Sequence, residues 1–270
     1  MFNSTTSNGS DNINKIVKTV KKIVISAGEI LQRMRFRSFR VSYKGEKDLV
    51  TEADYFAEEF IVKNLKKEFP DSAFLTEENY KEKLTKNEEF LWIIDPLDGT
   101  TNYYKKFMFY SISVALYTND VVSGIIFAPA FNDLYWTHKY DFSYKNTQRI
   151  YVSDEKKIEN SFLVTGFSYA VTKRIKKPFE TFKKVSLATL GVRRCGSAAL
   201  DLAYVSCGIF DGFWEEGLNP WDIAAGFLLV KNAGGKITNL SGQKLNIFDC
   251  KYIVATNGKI HTRLLKLLAD

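Results

Sequence analysis

Four stretches of the chain set carboxylates where they could do chemistry: Asp48 to Asp54, Glu77-Glu78, Asp95-Pro96-Leu97-Asp98 and Trp221-Asp222. Taken singly, each has a plain structural reading. Asp54 suits a helix cap, Glu77 a surface acid, Asp95 a turn and Asp222 a second helix cap. The segment IDPLDGTTN (Ile94 to Asn102) is less ordinary. There the apolar run Phe90-Leu91-Trp92-Ile93-Ile94 delivers two acids, a glycine and two hydroxyl residues into one tight turn. Two ionised carboxylates about 4 Å apart repel by on the order of 4 kcal/mol at an effective dielectric near 20, a cost that protonation or an intervening cation removes.

The ligands on offer are carboxylates, hydroxyls and backbone carbonyls. Such a set prefers a hard cation, magnesium first, with manganese or calcium as substitutes. Magnesium in turn suggests phosphate, because paired ions held by shared carboxylates serve in-line displacement at phosphorus. The only two histidines, His138 and His261, stand far apart in the sequence, which argues against a His-rich zinc site or a His-based catalytic dyad. The three cysteines, Cys195, Cys207 and Cys250, form no C-x-x-C and are expected to be reduced thiols.

Hydrophobic residues make up 45% and charged residues 26%, the balance of a soluble globular chain. The net charge of +7 comes with Lys pairs mostly at helical spacing, which read as solvated faces. There is no basic stripe with interleaved aromatics, so nucleic acid is not expected as the main ligand. No apolar run approaches the roughly 18 to 20 residues that cross a bilayer. The polar start MFNSTTSNGSDN also lacks the order of a secretion signal, so a cytoplasmic protein without membrane association is expected.

The elements that must position these acids are legible in the apolar spacing. Ile13, Ile16, Val17, Val20, Ile23, Val24, Ala27, Ile30, Leu31 and Met34 predict a long helix capped by Asp11 or Asn12. Thr51-Glu52-Ala53-Asp54 resembles a capping box opening a second helix that ends before Pro70. A buried strand follows over 90–94, then a meander of antiparallel strands over 111–117, 121–127 and 133–136. Beyond about residue 155, strands near 162–165, 210–214, 236–238 and 252–255 alternate with helices near 177–188, 197–205, 221–232 and 259–268. This gives an N-terminal tail (1–12), an α+β half (13–150) carrying most of the acids, and an α/β half (151–270), fused as one unit.

With these segments in order, the chain resembles the inositol monophosphatases, within the wider superfamily that includes fructose-1,6-bisphosphatase. WIIDPLDGTTN (Trp92 to Asn102) is similar to the first family signature and NPWDIAAGFLLVKNAGG (Asn219 to Gly235) to the second. DLVTEAD (Asp48 to Asp54), TEEN (Thr76 to Asn79) and GSAALDLAYV (Gly196 to Val205) fit in the expected order. The resemblance implies an α+β fold, a layered α/β/α/β/α sandwich, usually a homodimer, with two to three Mg2+ per active site. Mn2+ is an accepted substitute, and lithium sensitivity is implied too.

Carried over position by position, Glu77, Asp95 and the Leu97 carbonyl hold a first metal, and Asp95, Asp98 and Asp222 a second. Thr100, supported by Asp54, orients the attacking water, with Glu77 also counted as catalytic. The Gly99 and Thr100 amides cradle phosphate at a helix start. Glu215 in FWEEG occupies the place of a hydroxyl-binding glutamate, Arg193 is a further substrate candidate, and Lys44 is a candidate to neutralise phosphate. Gly196, Ser197 and Ala198 either approach the substrate or pack a helix through small residues.

Thr76 replaces a usual glycine, and Phe109-Tyr110 stands where relatives commonly carry a proline. The stretch 137–146 departs from a glycine-rich hairpin. The implied substrate is a small phosphomonoester, inositol-1-phosphate first. Fructose-1,6-bisphosphate, histidinol phosphate or a nucleotide 3′-phosphate are alternatives. A different class of role, as a protein partner of the transcription machinery, stays open beside these.

Overall fold

The computed structural model describes residues 6–36, 41–43, 49–79, 81, 90–167 and 176–269. Lys44 and Asp48 lie outside them. Helix α1 (Thr6–Met34) precedes a short antiparallel pair, β1 (Val41–Tyr43) and β2 (Leu49–Thr51), and helix α2 (Glu52–Glu68). The apolar face predicted for α1 is buried, from Ile13 to Leu31. The helix starts at Thr6, ahead of the expected Asp11-Asn12 cap, since a docked helix propagates into flanking polar residues at little cost. At α2 the predicted capping box forms: Thr51 Oγ1 accepts from Ala53 N at 3.2 Å, and Asp54 Oδ2 accepts from Thr51 N at 2.7 Å.

Strands β3 (Ser72–Thr76), β4 (Phe90–Asp98), β5 (Ser111–Tyr117), β6 (Val121–Ala128), β7 (Asp133–His138), β8 (Tyr144–Lys145) and β9 (Gln148–Arg149) form one sheet in sequence order. Only the β3–β4 pair is parallel, and the meander is antiparallel as predicted. Short helix α3 (Thr100–Tyr104) follows β4. A second sheet has the order β11-β10-β12-β14-β13. Its strands are β10 (Phe162–Thr165), β11 (Gly191–Arg193), β12 (Gly212–Glu216), β13 (Lys236–Thr238) and β14 (Tyr252–Thr256). The helices of this half are α4 (Lys176–Ala188), α5 (Ala198–Ser206), α6 (Pro220–Asn232) and α7 (His261–Ala269).

Three apolar clusters define the layers. One joins α1 and α2 to the outer face of the seven-stranded sheet through Trp92, Ile94 and Ile112. The second holds α5 and α6 between the two sheets. The third packs α4 and α7 against the five-stranded sheet through Val185, Val254 and Leu264. The order is α/β/α/β/α, as the resemblance implied. Helices α5 and α6 are apolar nearly all round, as a middle layer demands. No helix among the described residues is long and apolar enough to cross a membrane.

Strand β4 runs past its predicted end at Ile94 to Asp98. Its register against β5 shifts between Asp95 and Asp98, which pair with Ser113 and Ser111. Pro96, with no N–H to give a ladder, is tolerated at this bulge. In a regular strand, residues three apart point to opposite faces. The extra residue returns Asp98 to the side of Asp95, and both line one cavity.

Candidate active site

That cavity, of about 370 Å³, lies where the two sheets and the ends of α3, α5 and α6 meet. Its wall includes Glu77, Asp95, Leu97, Asp98, Gly99, Thr100, Gly196, Ser197, Ala198, Glu215 and Asp222. Residues from both halves of the chain, named from the sequence, are therefore assembled in one place. Asp54 stands behind this wall, fully buried, and reaches it through Thr100, whose hydroxyl donates to Asp54 Oδ1 at 2.8 Å. The Leu97 carbonyl is a second acceptor at 3.0 Å from the same hydroxyl. The carboxylate is the stronger partner.

Asp95, Asp98 and Asp222 each turn an oxygen to a nearby donor. Asp95 Oδ1 accepts from Leu97 N at 3.0 Å, and Asp222 Oδ2 accepts from Asn219 N at 2.7 Å. Asp98 Oδ2 accepts from Ser197 Oγ at 2.6 Å and from Ala199 N at 2.7 Å, at the start of α5. The bland readings of Asp54 and Asp222 as caps are thus correct and compatible with a site role, because a carboxylate has two oxygens.

The electrostatics are those of crowded acid. Burial first, then Glu77, Asp98 and Asp222, push Asp95 well above the usual carboxylate range. Burial also pushes Asp222 well up, with Asp98 next among the causes. Asp98 and Asp54 both rise to about 6, burial outweighing the hydrogen bonds that favour their charged forms. No salt bridge ties Asp95, Asp98 or Asp222 to Lys or Arg among the described residues.

An all-oxygen, buried and uncompensated donor set fits a hard divalent cation. Among the described residues, no three His, Cys, Asp or Glu side chains are grouped closely enough to enclose an ion.

Another side of the cavity is built from β12 and α5. Glu215 is 8% exposed and is pushed up to about 8 by burial, with Asp98 adding and Arg194 opposing. A Cβ at Gly166 would come within 2.1 Å of Glu215 Oε2, so only glycine leaves room for that carboxylate. Gly99 turns the chain from β4 into α3 at φ +94°, a left-handed conformation that disfavours side chains. Ser197 caps α5, accepting from Leu200 N, while its hydroxyl donates to Asp98, so the Gly-Ser-Ala stretch both packs a helix and shapes the cavity.

Arg193 does not join the site. It ends β11 with its guanidinium over the Phe162 ring, 4.7 Å from the centroid, and strand alternation sends the next residue the other way. Arg194 lines the cavity instead.

Three positioning residues were missed in the sequence. Glu58, one turn beyond Asp54 and fully buried, accepts from Glu78 N at 3.0 Å and from Asn79 N at 3.1 Å, holding the segment that carries Glu77. Its signal was an acid set among Ala53, Ala57 and Ile61 on an apolar face. Asn102 donates to the Phe109 carbonyl at 2.6 Å and to the Cys195 carbonyl at 2.8 Å, tying the first signature to the Gly196 segment. Lys81 lies over the Trp221 ring at 4.2 Å, linking that same Glu77 segment to α6. Asn102 closes the first signature, WIIDPLDGTTN, whereas Lys81 carries no local pattern that could have marked it.

Residues 12–270 match the model of the inositol monophosphatase family. The chain is 38% identical to a Synechocystis inositol-1-monophosphatase over 91% of its length and 86% of the relative's. It is 35% identical to an Aquifex aeolicus fructose-1,6-bisphosphatase/inositol-1-monophosphatase over 95% and 96%. Its fold is similar to the crystal structure of the Bartonella henselae extragenic suppressor protein suhB, with a TM-score of 0.89, 35% identity and coverage of 94% and 98%.

Proposed function

Because this chain belongs to the inositol monophosphatase family, and relatives such as the Synechocystis protein are named inositol-1-monophosphatases, we propose that it is a magnesium-dependent phosphomonoesterase acting on small polyol or sugar phosphates, inositol-1-phosphate first. The observation that carries the reading is the convergence of Asp95, Asp98 and Asp222 with the Asp54–Thr100 pair on one cavity. The name of the Aquifex relative keeps fructose-1,6-bisphosphate as the alternative substrate.

Glu77, Asp95, the Leu97 carbonyl, Asp98 and Asp222 would hold the ions. When bound, the ions supply Lewis acidity toward phosphate oxygens and lower the pKa of water. Thr100, donating its proton to Asp54, presents its oxygen lone pairs to the cavity and so accepts from and orients an attacking water. Ser197 and Ala199 N hold Asp98 in place, and the Gly99-Thr100 turn offers backbone N–H groups to the phosphate. Glu215, with its ceiling at Gly166, meets the hydroxyl-bearing part of the substrate. The reading is direct hydrolysis by positioning and electrostatics.

The test is phosphate release over a panel of phosphomonoesters with and without Mg2+, with Asp95→Asn as control. Metal-dependent release that falls by several orders of magnitude in the variant is expected. Equal, slow release by both proteins on every substrate would remove the basis of the reading. The expected homodimer and lithium sensitivity belong to the same proposal and are measured by sedimentation and by inhibition kinetics.

A further inference from the structure

Helix α5 enters the cavity wall with two residues three positions apart, Ala198 and Asp201, while Leu200 and Leu202 turn into the core between the sheets. Asp201 is 1% exposed, and its Oδ1 has no hydrogen-bond partner among the described residues. A polar atom left so is costly. An acid in the first turn of a helix gains less than that cost from the helix dipole. Helix stabilisation therefore does not account for Asp201, and Leu or Ala would suit a purely structural role. Its neighbours are Glu215 and Asp98, which, after burial, push its pKa well up, and Arg194, which opposes them.

We propose that Asp201 determines specificity, its carboxyl group hydrogen-bonding a hydroxyl of a polyol substrate next to the hydroxyl met by Glu215. The inference rests on the phosphatase reading and sharpens its substrate class. Two carboxyl groups on the same cavity wall favour a neutral diol over a second phosphate at this end of the cavity. A hydroxyl both donates and accepts, so it satisfies Asp201 in either protonation state.

Asp201→Leu keeps the shape of the side chain, and an apolar isostere of a buried polar group is close to neutral for folding. The quantity to measure is kcat/KM for inositol-1-phosphate divided by that for 4-nitrophenyl phosphate, which has no hydroxyl beyond its phosphate. This ratio is expected to fall about ten- to a hundredfold in Asp201→Leu, and Asp201→Asn, which restores donor and acceptor atoms, is expected to recover it to within about threefold. An unchanged ratio in Asp201→Leu, including a parallel loss on both substrates, would overturn the assignment. If the wild type releases phosphate from neither substrate, the phosphatase reading fails on its own. Calorimetric titration with myo-inositol then decides: weaker binding by Asp201→Leu supports the inference, and equal or absent binding in both proteins overturns it.

Discussion

Thr100 and Asp54, 46 positions apart, are joined by one hydrogen bond of 2.8 Å that spans from the turn after β4 to the first turn of α2. The same carboxylate caps α2 through Thr51, so helix capping and the orientation of the Thr100 hydroxyl share one side chain. Thr100→Val removes the relay and is expected to lower kcat by about 10²- to 10⁴-fold with little change in KM, whereas Thr100→Ser keeps most of the rate. Steady-state kinetics on the preferred substrate checks this, and a Val variant as fast as wild type would contradict the role.

Glu58 holds the backbone of Glu78 and Asn79 from the next turn of α2. Glu58→Ala leaves those N–H groups without this partner and frees the segment that carries Glu77. The metal concentration giving half-maximal activity is expected to rise about tenfold, a change typical of losing an outer-shell support. Metal-activation curves report it. An unchanged curve would mean that Glu77 needs no such anchor.

Crowded acid makes the metal-free protein pH-sensitive. Asp54 and Asp98 at about 6 and Glu215 at about 8 lie above their unfolded values near 4, so between these limits the folded state binds more protons. Their contribution to stability is full below about pH 4 and is lost as pH rises through 6 to 8. His261, buried between Thr238 and Thr256 and lowered to about 4, works in the opposite sense, but only below its unfolded value of about 6.5. From pH 6.5 to 8 the chelated protein should therefore lose thermal stability, and Mg2+ should restore it most at pH 8. Thermal melts with EDTA and with Mg2+ measure this. A flat, metal-independent Tm across that window would argue against the buried acids as an ion site.

Gly166→Ala drives a methyl group into the Glu215 carboxylate. Displacing that side chain is expected to raise KM for a polyol phosphate about two- to tenfold, consistent with the loss of a hydrogen bond to a neutral carboxyl group. Comparison with 4-nitrophenyl phosphate isolates the effect. Equal kinetics on both substrates would mean that Glu215 does not read hydroxyls.

Much of this was readable along the chain. The periodicity of α1, the capping box of α2, the meander β5 to β7 and the apolar run of β4 were local patterns, and local physics specifies them. Short strands β3 and β11 left no comparable trace, because three to five residues of mixed character become strands only through their neighbours. Arg193 and Arg194 were indistinguishable as neighbours in sequence. Only the path of β11 sends one to the Phe162 ring and the other to the cavity.

By itself the sequence determined the inventory: which acids exist, which of them sit at strand ends or helix starts, and which family patterns they compose. Tertiary structure alone decided their partnership. The bulge at Pro96 turns Asp98 back beside Asp95, α6 brings Asp222 across, and Glu58, Asn102 and Asp201 acquire their roles from residues distant in the chain. The reason is physical: charge repulsion, desolvation and hydrogen bonding act over a few ångströms of space, whatever the separation along the backbone.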